Sequence, residues 1–67
     1  MQRYYPLEDQ INACYDYLGV EHKNADNMTD EEINSSTLDL AQYFVWIPHP
    51  EYMQFVPKHI ESGDIII

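Results

Sequence analysis

The sequence predicts a mostly α fold: three or four short helices followed by an extended C-terminal tail. Three observations carry that expectation. Apolar residues recur at spacings of three and four in residues 7–18 and again in residues 37–47, the repeat of an amphipathic helix. Start and stop signals bracket both stretches, with Pro6 and Gly19 around the first and Thr29, Glu32 and Pro48 around the second. The tail has Gly63 and then Asp64 and three isoleucines, and such β-branched residues favour extended backbone over helix. The alternative architecture is α+β, with the tail pairing as a strand, in one form across a dimer.

The first helix is expected over residues 6–18. Proline suits a first helical turn, where its missing N–H has no partner anyway. Glu8 and Asp9 then meet the positive end of the helix dipole. Leu7, Ile11, Cys14, Tyr15 and Leu18 form one apolar stripe, and Gly19 is a natural left-handed stop. Residues 21–28 read as a polar loop. Thr29 and Glu32 form a capping-box pattern ahead of Ile33. Ser35, Ser36 and Thr37 are mediocre helix formers, so a short helix over 30–35 is expected to be separate from a longer one over 36–46, with Ser36 and Asp39 as a second cap. Leu40, Ala41, Phe44, Val45 and Ile47 mark that longer segment as the central core helix. Pro48 ends it, Pro50 starts a last turn of helix to about residue 56, and Pro57 ends that.

One domain is expected from 67 residues. So short a chain buries only about 60% of its unfolded surface. Cys14 is the single cysteine, so no intramolecular disulfide can staple the fold. A homodimer or a partner-stabilised fold is therefore expected. At 45% hydrophobic and 13% aromatic, the composition is too apolar for a disordered chain. Residues 1–6 show no signal-peptide apolar region and no stretch is long enough to span a membrane. With one lone thiol, an intracellular, cytoplasmic location is the expectation.

Chemical motifs are sparse. His49-Pro50-Glu51 matches half of a zinc-deaminase signature, but the cysteine pair that would complete it is missing. The oxygen-rich stretch 24–32 lacks the glycine of a calcium loop and has Met28 at a ligand position. Two glycines in the whole chain leave no backbone phosphate cradle. Cys14 falls on the apolar stripe, where free cysteine acts as a small hydrophobe. No catalytic residue, metal site or cofactor is expected, and the chain is not expected to be an enzyme.

Charge is the informative feature. Twelve acids oppose Arg3, Lys23 and Lys58, for a net charge of −9. Direct binding to nucleic acid or to anionic membrane is thereby disfavoured, because phosphate attracts cations. Between residues 24 and 57 there are six acids, Asp26, Asp30, Glu31, Glu32, Asp39 and Glu51, and no Lys or Arg. Surfaces built only for solubility intersperse both signs and gain from opposite pairs four apart. Asp9 and Asp16 lie seven apart, hence on one helical face about 10 Å apart, and Glu32 and Asp39 repeat that spacing if their helix is continuous. The expected partner-binding residues are Glu8, Asp9, Asp16, Asp26, Asp30, Glu31, Glu32 and Asp39, joined by Tyr17 and Tyr43 as exposed aromatics of the interface-anchoring type. Tyr4 and Tyr5 precede the first helix, and Trp46 is assigned mainly to the core. The expected partner is a basic nucleic-acid-binding protein or complex, and the expected role is inhibition by imitation of phosphate charge, of the phage or mobile-element anti-defence type. The alternative is an antitoxin, immunity or accessory regulator that binds protein without mimicking nucleic acid.

Overall fold

The computed structural model describes residues 5–67; Arg3 and Tyr4 lie outside the described residues. Helix α1 (Leu7–Leu18) is followed by a single 3₁₀ turn (Ala25–Asn27), helix α2 (Asp30–Leu40), and a hairpin of strands β1 (Phe44–Pro48) and β2 (Phe55–His59). The fold is thus α+β, with two helices and a two-stranded antiparallel sheet. The expectation of three or four helices is overturned.

Local capping sets the helical half. Pro6 stands one residue outside α1, as its N-cap, and Gly19 closes the helix in the left-handed conformation at φ 72°, which glycine adopts without Cβ crowding. Thr29 and Glu32 make the reciprocal capping box. Helix α2 then runs unbroken through Ser35 and Ser36, so the expected division into two helices is absent. Ser36 caps nothing: it is buried mid-helix and its hydroxyl reaches Met28 Sδ at 3.5 Å.

The expected core helix over 36–46 stops at Leu40, and Phe44 begins a strand. The run Phe-Val-Trp-Ile carries β-branched and aromatic side chains that suit a pleated surface, and in a short apolar run this preference outweighs helical spacing. The expected helix over 50–56 is likewise absent: residues 49–54 form the hairpin connection, and Phe55 opens β2. Register pairs Phe44 with His59, Trp46 with Pro57 and Pro48 with Phe55. Pro57 fits because its position needs no outward N–H; its carbonyl accepts instead from Ile66 N–H at 3.0 Å. His59 N–H donates to Asp64 O at 2.7 Å, and Lys58 bridges Ile65. The tail therefore docks along β2 of its own chain.

The core is Ile11, Cys14, Ala25, Leu40 and Phe44, with Trp46 and Ile66 packed against it from the hairpin side. Burial pushes the Cys14 thiol up to about 12, so it stays protonated and unreactive. A buried polar side chain helps to join the halves. Gln10, 5% exposed, accepts from Trp46 Nε1–H at 2.7 Å through Oε1 and donates from Nε2 to Tyr5 O at 3.1 Å. No helix among the described residues is long and apolar enough to cross a membrane.

Candidate partner-binding surface

The expected acids fall mainly at helix ends. Glu8 and Asp9 occupy the first turn of α1, and Asp30, Glu31 and Glu32 the first turn of α2. Asp26 lies in the 3₁₀ turn. Negative charge at a helix N-terminus is favourable, worth about 0.3–1 kcal/mol at an exposed site, so these placements serve the fold as well as the surface. Asp16 and Asp39 are different: each lies in the last turn of its helix, where the dipole is negative and no basic residue is present. Because α2 is continuous, Glu32 and Asp39 do repeat the spacing of Asp9 and Asp16. Glu51 sits apart in the hairpin connection, so the cation-free run is divided between two regions of the molecule.

Two of the expected acids, Asp16 and Glu32, are each paired with a basic side chain from the segment after α1. His22 Nε2 meets Asp16 Oδ1 at 3.0 Å, and Lys23 Nζ meets Glu32 Oε1 at 3.1 Å. Glu32 is the most committed carboxylate on the surface. It accepts from Thr29 N–H, the larger influence, and from Lys23 Nζ, and both hold its pKa below the ordinary 4.5. A depressed carboxylate stabilises the fold above its ordinary pKa, and that contribution is lost as pH falls through the lowered value. Asp26, Asp30, Glu31 and Asp39 are exposed, and among the described residues none of the four forms an ion pair.

Tyr17 and Tyr43 part company. Tyr43, 46% exposed, stands in the turn before β1. Tyr17, although 42% exposed, is engaged: its hydroxyl bonds Ser62 Oγ at 2.8 Å and donates to Asp64 Oδ2 at 2.9 Å, and its ring packs against Phe44 and His59. It anchors the turn after β2 to α1. Trp46 is half-buried against the core, as its assignment required.

Sequence reasoning missed His22, Lys23, Gln10 and Gln54. Gln54 clamps the hairpin turn to the N-terminal segment, accepting from Tyr5 N–H at 2.7 Å and donating to Tyr5 O at 3.1 Å. The His22 contact had a signal in Gly19. A left-handed cap reverses the chain, so a residue three beyond it returns beside a residue three before it. The two glutamines had none, because their partners are distant in sequence.

Comparison with protein-family models, curated proteins and solved structures finds no match.

Proposed function

We propose that this chain is an acidic binding protein that inhibits a basic nucleic-acid-handling protein, offering carboxylates where the partner expects phosphates. The observation that carries this reading is the absence of Lys and Arg from residues 24–57, with Asp26, Asp30, Glu31 and Asp39 left exposed and without ion pairs among the described residues. Asp39 adds support, since an acid in the last turn works against the helix dipole. A residue kept at a cost to its own helix has its use elsewhere. A role of the phage or mobile-element anti-defence type is consistent with a small protein that acts by occupying a basic groove.

The test is capture of partners from a lysate with the intact chain, followed by elution with salt. A phosphate mimic releases its partner steeply between about 50 and 200 mM salt, as nucleic acid does, and duplex DNA displaces it. The D30K/E31K/D39K variant loses the partner, because like charges brought face to face cost several kcal/mol, about a hundredfold or more in affinity. Glu32 is left out of that variant because it caps α2. Retention at high salt by both the natural chain and the variant would discard the mimicry reading.

A second reading, a regulator of the antitoxin or immunity type, draws on a different observation. Met53 is 88% exposed, Leu38 74% and Phe55 60%. In that reading apolar contact dominates affinity, M53S/F55S is the damaging variant, and nucleic acid does not compete.

A further inference from the structure

The three histidines make opposite demands on their rings. His49 Nδ1 accepts from Glu51 N–H at 3.0 Å, and His59 Nδ1 accepts from Ser62 N–H at 3.1 Å; in each, that nitrogen carries no proton. His22 faces two acceptors instead. Its Nδ1 lies 2.9 Å from the Lys23 carbonyl oxygen and its Nε2 lies 3.0 Å from Asp16 Oδ1. A neutral imidazole has a single N–H and can satisfy only one of them; the imidazolium has two and satisfies both. The ring also stacks on Tyr15, with centroids 5.0 Å apart and planes inclined by 23°, a contact that a positive charge strengthens.

We propose that His22 is a proton-operated clamp. Charged, it fastens residues 20–23 to the end of α1 and neutralises Asp16; neutral, it holds only one of its two acceptors and leaves the charge of Asp16 uncompensated on the acidic surface. Helix α1 presents Asp16 and Tyr15 to the ring, and the clamp's own segment presents the Lys23 carbonyl. The Lys23 ammonium is paired with Glu32 of α2, and Glu21, the preceding residue in the chain, is exposed. Among the described residues no hydrogen bond, ion pair or ring contact joins His22 to the hairpin. Asp16, then the Lys23 carbonyl, hold the ring's pKa above 6.5. A raised histidine stabilises the closed form fully below its ordinary pKa, and that stabilisation is lost as pH rises through the raised value. Opening stays local, because Ala25 N–H donates to Asn12 Oδ1 at 2.8 Å and keeps the 3₁₀ turn on α1 without the histidine. The negative surface is therefore fuller on the alkaline side of the transition. The clamp stands on the geometry around His22 alone and holds whichever reading of function is correct.

The experiment is an NMR titration of the intact chain from about pH 5 to about pH 9, the range in which histidine charge changes. It follows the imidazole nitrogens together with the backbone amides of residues 20–24. In the natural chain His22 titrates above 6.5, and the amides of Lys23 and Asn24 shift with the same midpoint. Asp16→Asn, at a side chain 74% exposed and outside the core, returns the midpoint towards 6.5. His22→Gln removes the step from the amides. A natural His22 that titrates at or below 6.5, or amides that ignore its midpoint, would overturn the clamp.

Discussion

The helical half and the hairpin half of the molecule are built on different surfaces. Nine of the twelve acids precede residue 41, and only Glu51, Glu61 and Asp64 follow it. Exposed large apolar side chains divide the other way, with Tyr43, Val45, Met53, Phe55, Ile60 and Ile65 on the hairpin half against Leu7, Tyr17, Val20 and Leu38 on the helical half. Charge and apolar contact are therefore physically separable in this chain. Leu38 apart, the two functional readings lean on different halves, so Met53 and Phe55 can be mutated while the exposed acids of α2 stay intact.

That separation depends on the halves remaining joined, and Gln10 is the buried one of the polar side chains that join them, beside Tyr17 and Gln54. Replacing it with leucine keeps the volume but leaves the Trp46 indole N–H without an acceptor. A buried donor stripped of its partner costs about 1–3 kcal/mol, so Gln10→Leu is expected to lower stability in thermal or denaturant unfolding by that amount. If the loss is real, Trp46 fluorescence in the folded state shifts as well. A stability unchanged within error would mean that the Gln10–Trp46 bond contributes nothing to joining the halves.

Within the helical half the cap can be tested separately from the charge. Thr29→Ala deletes the oxygen that accepts from Glu32 N–H and is expected to cost about 1 kcal/mol. For a domain of this size that lowers Tm by roughly 4–8 °C. Partner capture at a temperature well below the transition should be preserved, because every exposed acid remains in place.

How much of this was legible in the sequence follows the same division. Helix α1 and the start of α2 could be read because their determinants are local: Gly19 three or four residues from what it terminates, and Thr29 within three of Glu32. The hairpin could not. Phe44, Val45 and Ile47 fit helical spacing after Leu40 as well as they fit a strand, and the pairing that decides the matter lies with His59, Lys58 and Val56, nine to fifteen residues onward. Of the acids of the candidate surface, Asp9, Asp16, Asp26, Asp30, Glu31 and Asp39 stand exposed, and Glu8 and Glu32 are half-buried. The covering of Asp16 by His22 left only the trace of the Gly19 reversal, and that of Glu32 by Lys23 left none, since it depends on where α2 comes to lie.

The smallest effect separates fold from function most cleanly. Asp39 is exposed, in the last turn of α2, with no basic residue in that turn. Exchange for lysine turns an unfavourable charge at the negative end of the dipole into a favourable one, a gain of about 0.3–1 kcal/mol at low salt that shrinks as salt screens it. Asp39→Lys should therefore raise Tm while weakening capture of a basic partner. No purely structural role for Asp39 produces that pair of changes, because the substitution improves the helix it belongs to. A variant that is more stable and binds as well as the natural chain would show that the far end of α2 lies outside the interface, leaving Asp26, Asp30 and Glu31 to carry the charge reading alone.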